Sequence, residues 1–110
     1  GSPIRDAVLL SRPMPAVAAG GAISGQITHV DHFGNLITNI PGAWLHGGTW
    51  RCQIGDEEIP GLSQTYASVA SGALLALISS GGTVEIAVRD GSAAARLKAG
   101  VGSPVILTPA

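Results

Sequence analysis

Glycine and proline recur so often along this sequence that they divide it into short runs separated by turns. The chain has 16 Gly and 7 Pro among 110 residues, with 45% hydrophobic and 12% charged residues. This combination favours many short strands over long helices or disorder, and the length is that of one domain with its own core. We therefore predict an all-β fold: a small closed or nearly closed antiparallel Greek-key β-barrel with one short helix near the C-terminus.

Hydrophobic patterning and turn signals predict the individual elements. Ser92 is a suitable N-cap for a helix of one or two turns that ends at Leu97, and residues 61–71 are predicted to be mostly loop. In the strand ending at Val88, alternation places Glu85 away from the apolar face. The predicted strands are Ile23–Val30, Leu36–Ile40, Thr49–Ile54, Glu57–Ile59, Ala73–Ile78, Thr83–Val88 and Pro104–Thr108.

The N-terminal residues have a different composition from the rest. Gly1 and Ser2 resemble a cloning remnant, and the proline-rich stretch to Gly21 is predicted to be an extended interdomain linker, which leaves 22–110 as the barrel domain. With no apolar run of membrane-spanning length and no signal segment, we expect a cytoplasmic protein without a membrane partner. A net charge of −1 and 4% aromatic residues argue against a nucleic-acid surface. The single Cys52 is predicted to be a buried, unreactive thiol.

The stretch from His29 to Ile40 carries the greatest variety of chemical groups. In an unbulged strand, Asp31, Phe33, Asn35 and Asn39 would share one face. A ring to stack on a flat base, an amide that donates and accepts, and a carboxylate for an ammonium or hydroxyl group suit a nucleoside-like ligand. The structural alternative is that the ring is core, the amides are turn residues and the carboxylate is a local cap.

Two other kinds of site are considered and rejected. His29, Asp31, His32 and His46 are potential metal ligands, but alternation separates His32 from the first two and no convincing fourth ligand is present, so no metal is predicted. A Ser-His-Asp hydrolase triad is rejected because no strand-turn-helix nucleophile elbow surrounds any serine.

The pattern Asp-x-Phe-Gly-Asn-x-x-Thr-Asn-Ile at Asp31–Ile40, followed by Ser79-Ser80-Gly81 and an apolar strand containing Glu85, resembles a known family. It is similar to the C-terminal domain of the S-adenosyl-L-methionine hydroxide adenosyltransferases, which include the fluorinases and chlorinases. The likeness extends from about Gly25 to the C-terminus. It implies conversion of S-adenosyl-L-methionine and water to adenosine and L-methionine, with S-adenosyl-L-methionine as substrate and no cofactor.

The resemblance also implies roles for particular residues. Asn35 would read the purine edge, Tyr66 would supply a second stacking ring, and the backbone near Val88 would face adenine. Ser80 would lie beside the methionine portion of the substrate. The substrate-binding residues implied in this way are Asp31, Phe33, Asn35, Tyr66, Ser80, Glu85 and Val88.

For the whole protein, the resemblance implies parts that this chain lacks. The catalytic Asp-Arg-His set would belong to an N-terminal α/β domain, and the site would lie between that domain in one subunit and the barrel of its neighbour in a homotrimer. We therefore expect no catalytic residue in this chain and no turnover by the chain alone. The alternatives are a stand-alone barrel that binds a small ligand or a protein, and, more weakly, a domain of an S-adenosyl-L-methionine-dependent halogenase.

Overall fold

A computed structural model describes residues 14–45, 49–63 and 65–109, and these form eight strands with one α-helix. Most predicted bounds agree with the observed ones to within one or two residues. Single 3-10 turns occur at Gly42–Trp44 and Tyr66–Ser68. The elements are β1 Ala16–Val17, β2 Ile23–Val30, β3 Leu36–Pro41, β4 Trp50–Ile54, β5 Glu57–Pro60, β6 Leu74–Ile78, β7 Thr83–Val88, α1 Ala93–Leu97 and β8 Pro104–Pro109.

The strands form one antiparallel sheet in the order β5-β4-β8-β2-β3-β7-β6, with β1 paired to β2. The C-terminal β8 inserts between β4 and β2, so the sheet is not a simple meander. Just beyond β5, the backbone N–H of Ser63 donates to the carbonyl of Ala76 in β6 at 2.7 Å, which bridges the two ends of the sheet. The sheet is therefore nearly closed as a barrel, and the predicted fold class is confirmed.

The barrel interior is filled by aliphatic side chains from the inward faces of the strands. Leu36, Thr38 and Ile40 alternate inward along β3. The buried Thr38 hydroxyl donates to the carbonyl of Val84 at 2.7 Å and accepts from the N–H of Ile40 at 3.2 Å, so its polarity is satisfied. Cys52 is a free thiol inside this core, and burial raises its pKa to about 12.

A second, smaller apolar cluster lies on the outer face of β6 and β7. It contains Leu75, Leu77 and Ala87, with Val69 packed against them. β6 is therefore buried on both faces over most of its length, as its continuous apolar run predicts. The segment that contributes Val69 crosses the outside of the barrel, and it is this crossing that positions part of the candidate site.

The register between β2 and β3 shifts between Ile27 and His29, and Asn39 fills the irregularity. The Asn39 side-chain oxygen accepts a hydrogen bond from the N–H of Gln26 at 3.0 Å, and a Cβ on Gly25 would lie 2.4 Å from that oxygen. The expectation that Asn39 shares a ligand-facing side with Asp31 is therefore wrong. Its amide joins two strands.

Only part of the predicted linker lies within the described residues. There, Ala16 and Val17 form β1 opposite Ser24 and Ile23, and a tight turn closes with the N–H of Gly21 donating to Ala18 at 2.9 Å. This strand is not predicted from the sequence, because two residues are too few to show a periodic pattern.

Candidate functional site

The connection between β2 and β3 is a tight turn and not a continuous strand. The N–H of Asp31 donates to the carbonyl of Asn35, and the N–H of Gly34 donates to the carbonyl of Asp31, both at 3.0 Å. Gly34 has a φ of +84°, which L side chains rarely adopt. The two-residue alternation expected across this stretch is therefore absent, and the turn itself decides which side chains lie together.

Both carboxylate oxygens of Asp31 are engaged within this turn. Oδ1 accepts from the backbone N–H groups of Phe33 at 2.9 Å and Asn35 at 3.0 Å, and Oδ2 accepts from Asn35 Nδ2 at 3.0 Å. Burial acts to raise the pKa of Asp31, but the hydrogen bonds from Asn35 and Phe33, helped by the charge of His29, outweigh it and hold the pKa below its usual value. The carboxylate acts as the local cap considered above, and it also fixes the Asn35 side chain.

The same turn is attached to the start of α1. The backbone N–H of Ala94 donates to the carbonyl of Gly34 at 2.9 Å. Ser92 caps the helix by accepting from the N–H of Ala95 at 3.1 Å, as predicted. A Cβ on Gly34 would lie only 2.0 Å from the Ser92 hydroxyl oxygen, so the turn and the helix fit together only with glycine at this position.

Phe33 projects from the turn into solvent. Its exposed fraction is 73%, and its ring packs edge-to-face with that of His32 at a centroid distance of 5.4 Å. The alternative that Phe33 is a core residue is therefore wrong. An aromatic ring this exposed is available to stack on a ligand.

Tyr66 is held by a carboxylate on the outer face of β7. Its hydroxyl donates to Glu85 Oε2 at 2.5 Å, and Glu85 is only 7% exposed. The hydrogen bond to Glu85, burial, and the charges of Glu85 and Asp31 together raise the pKa of Tyr66 to about 12. Glu85 does point away from the main core, as predicted, but the segment carrying Tyr66 covers it.

Three side-chain hydrogen bonds attach the covering segment, residues 65–72, to the end of the barrel. The position of the Tyr66 ring therefore does not depend on its hydrogen bond to Glu85 alone. Two arginines donate to backbone carbonyls and one serine donates to a carboxylate. The contacts are Arg89 Nη1 to Val69 O at 2.6 Å, Arg96 Nη1 to Gly72 O at 3.0 Å, and Ser71 Oγ to Asp90 Oδ2 at 2.8 Å.

The turn, the covering segment and the end of β7 enclose an open pocket of about 570 Å³. This volume lies within the range typical of small-molecule sites. Five of the residues predicted from the sequence line it, together with Asp90 and Gly91, which were not among the predicted site residues. The lining residues are Asp31, Phe33, Asn35, Tyr66, Val88, Asp90 and Gly91.

Two predicted site residues lie outside this lining. Glu85 does not line the pocket but accepts a hydrogen bond from the hydroxyl of Tyr66, which does. Ser80 is in the turn before β7, while Val88 is at the other end of that strand. Five residue steps of extended strand separate the two ends by about 17 Å. The predicted contact of Ser80 with the methionine portion of a substrate stays a prediction.

A second cavity, of about 400 Å³, lies beside β1. No charged residue is among the described residues that line it, so it offers little to orient a polar nucleoside. The first pocket, with a carboxylate, an amide and two rings, is the better candidate site. The second cavity is lined by Val17, Gly21, Ile23, Trp44, Trp50 and Pro109.

Among residues 14–45, 49–63 and 65–109, no three His, Cys, Asp or Glu side chains converge as they would around a metal ion. His46 lies outside those residues. Within the same part of the chain, no helix has the length and apolar character needed to cross a membrane.

The fold and the site together define a small antiparallel β-barrel domain with an open, partly polar pocket at one end. The sequence pattern of the family described as "SAM hydroxide adenosyltransferase C-terminal domain" matches residues 25–106. This match covers most of the chain, and the chain belongs to that family.

Two curated relatives are similar in sequence. An (R)-S-adenosyl-L-methionine hydrolase of Thermus thermophilus is 35% identical over 83 residues, which are 76% of this chain and 31% of the relative. A fluorinase of an Actinoplanes species is 53% identical over 34 residues, which are 30% of this chain and 11% of the relative. The chain therefore spans at most about a third of the length of these relatives.

Solved structures with the same fold include two conserved proteins of thermophilic bacteria. One, from Thermotoga maritima, has a TM-score of 0.73 and 28% identity, covering 86% of this chain and 38% of that one. The other, from Thermus thermophilus, has a TM-score of 0.69 and 32% identity, covering 89% of this chain and 39% of that one. In both cases the barrel corresponds to a minor part of a longer chain.

Proposed function

We propose that this chain is the nucleoside-binding domain of an S-adenosyl-L-methionine hydrolase, an enzyme that converts S-adenosyl-L-methionine and water to adenosine and L-methionine. The observation that carries the proposal is the composition of the pocket. Phe33 and Tyr66 bring two rings, Asn35 brings an amide, and all three meet beside the end of β7. Rings stack on a base of any identity, while an amide distinguishes donors from acceptors at its edge.

In this proposal the barrel binds and orients the substrate and does not activate the nucleophile. Water-derived hydroxide attacks the ribose C5′ in line with the departing sulfur, and methionine leaves as a neutral thioether. The groups that handle the water belong to an N-terminal domain, and the open side of the pocket faces such a domain in a neighbouring subunit of a trimer. Holding the reactants in line is itself a large part of the rate enhancement of such a step.

Hydrolysis is favoured over halide transfer by the extent of the sequence similarity. The match to the hydrolase runs through 76% of this chain, whereas the match to the fluorinase is confined to 30% of it. The shorter match is of higher identity, but it covers too little of this chain to outweigh the longer match.

The proposal is tested with Asn35→Ala, using isothermal titration calorimetry of adenosine binding to the 110-residue chain. Loss of an amide that pairs with a buried base edge is expected to weaken binding by about 1–3 kcal/mol. The unfolding free energy is expected to change by less than about 1 kcal/mol, because the bond that the Asn35 side chain makes to Asp31 is only partly buried.

The matched control is Asn39→Ala, since Asn39 joins β2 to β3 and does not line the pocket. It should lower the unfolding free energy and leave the affinity of the folded chain unchanged. If Asn35→Ala instead destabilises the fold and leaves adenosine affinity unchanged, Asn35 is a turn residue and the nucleoside proposal fails.

A further inference from the structure

The two carboxylate oxygens of Asp31 accept hydrogen bonds from different kinds of donor. Its Oδ1 accepts from backbone, namely the N–H groups of Phe33 and Asn35. Its Oδ2 accepts from the Asn35 side-chain nitrogen. One oxygen therefore builds the turn, and the other determines which end of the Asn35 amide faces Asp31.

This second contact removes the usual freedom of an asparagine amide. The nitrogen and oxygen ends of an amide have almost the same shape, and a rotation of 180° exchanges a donor for an acceptor. If Asn35 rotated in this way, its Oδ1 would face the carboxylate Oδ2, and two acceptors would be left opposed. The ionised Asp31 therefore fixes the polarity that Asn35 presents to the pocket.

We infer that Asp31 is a positioning residue that makes the pocket selective for 6-amino purines over 6-oxo purines, by holding the acceptor end of the Asn35 amide toward position 6 of the base. The inference rests on the proposed function, because it assumes that a purine occupies the pocket. A 6-amino group donates to Asn35 Oδ1, whereas a 6-oxo group would place a second acceptor against it.

The substitution Asp31→Asn tests this inference sharply, because it is nearly isosteric and is expected to reverse the polarity. The two backbone N–H groups still require an acceptor, so the new amide should keep its oxygen at the Oδ1 position and preserve the turn. Its nitrogen then stands where Oδ2 stood and faces Asn35. The Asn35 amide is expected to rotate so that its oxygen accepts from that nitrogen, which turns its N–H groups toward the ligand.

The measurement is the affinity of the 110-residue chain for adenosine and inosine by titration calorimetry. The unmodified chain is expected to bind adenosine about tenfold or more tightly than inosine, and Asp31→Asn to abolish or invert this ratio. Asp56→Asn, in the exposed β4–β5 turn, is the matched control and should leave the ratio unchanged. In an Asn35→Ala background, Asp31→Asn should no longer affect the ratio.

The outcomes separate this inference from the proposed function. If the unmodified chain binds adenosine and Asp31→Asn leaves the ratio unchanged, the inference is overturned and the proposed function stands. If the chain binds neither nucleoside, both fail. Should Asp31→Asn not fold, NMR of the unmodified chain decides: a scalar coupling across the hydrogen bond between Asn35 Nδ2 and Asp31 Cγ supports the inference, and its absence in the adenosine complex contradicts it.

Discussion

Among individual side chains, Tyr66 is the clearest case in which the surroundings of a pocket residue determine its protonation state. Its hydroxyl donates a hydrogen bond to the buried Glu85, and burial and the charges of Glu85 and Asp31 also disfavour the phenolate. The pKa is raised to about 12, so Tyr66 is neutral throughout the physiological range. It can offer a ligand a stacking surface, but its hydroxyl proton is already committed to Glu85.

We predict that Tyr66→Phe lowers the unfolding free energy by about 1–3 kcal/mol at pH 8, because it leaves the buried Glu85 carboxylate without its donor. Since the folded pKa of Tyr66 is raised above the unfolded value near 10, the stabilisation is complete below pH 10 and is lost as the pH rises through about 12. The difference in unfolding free energy between the two proteins should therefore shrink from about pH 8 to about pH 11.5, as measured by urea denaturation.

The comparison between the two proteins also removes a second contribution. Cys52, whose pKa is likewise raised to about 12, loses stabilising effect over the same pH range, but it is present in both proteins and cancels. A difference that stays constant up to about pH 11.5 would mean that Tyr66 does not donate to Glu85 in solution.

Between secondary-structure elements, the contact of the β2–β3 turn with the start of α1 leaves no space for a side chain at position 34. Gly34→Ala places a Cβ 2.0 Å from the Ser92 hydroxyl oxygen, in addition to the cost of a positive φ. Gly55→Ala in the β4–β5 turn is a matched control, because Gly55 has a φ of +59° but no heavy atom within 4 Å of its added Cβ. The φ cost alone is about 1–2 kcal/mol.

We therefore predict that Gly34→Ala lowers the unfolding free energy by clearly more than Gly55→Ala does, and that it alone weakens adenosine binding. Chemical denaturation and titration calorimetry on the two variants check this. Equal destabilisation by both, with adenosine affinity intact, would show that the turn can move away from α1 without cost to the site.

The strands were predictable because local alternation and turn residues determine them, as in Leu36–Pro41 with Leu36, Thr38 and Ile40 inward. What the sequence did not reveal depends on contacts between distant segments. Alternation correctly predicted that Glu85 points away from the main core. It could not predict that Glu85 is buried, because the segment around Tyr66 that covers it shows no periodic pattern.

The site residues were found partly for a reason that the structure corrects. Asp31, Phe33 and Asn35 were expected together because they share a strand face, yet a turn at Gly34 brings them together instead. Asn39, selected by the same alternation, is a structural residue. Asp90 and Gly91 were missed because an Asp-Gly turn after a strand is common and gives no sign of what packs beside it.

For the chain as a whole, the protonation states of the side chains that line the pocket limit the reactions that it can catalyse. Removing a proton from water near neutral pH requires a base whose pKa is close to that pH. The Asp31 carboxylate is a weak base, since its pKa is below the usual value and both of its oxygens are occupied. Tyr66 is protonated, with a pKa of about 12, and Asp90 is exposed and accepts from Ser71. None of these lining groups is suited to generate hydroxide.

We therefore predict that the purified 110-residue chain binds adenosine but does not hydrolyse S-adenosyl-L-methionine. The measurement is chromatography of S-adenosyl-L-methionine incubated with an equal concentration of the chain, with Asn35→Ala as the binding-deficient control. Adenosine should form at the same slow rate with the chain, with the variant and with buffer alone. The open pocket can orient the bound substrate, but it contains no base that would generate the hydroxide nucleophile. Faster release with the chain than with the variant would place a catalytic group in this domain and contradict the division of roles between the barrel and an N-terminal domain.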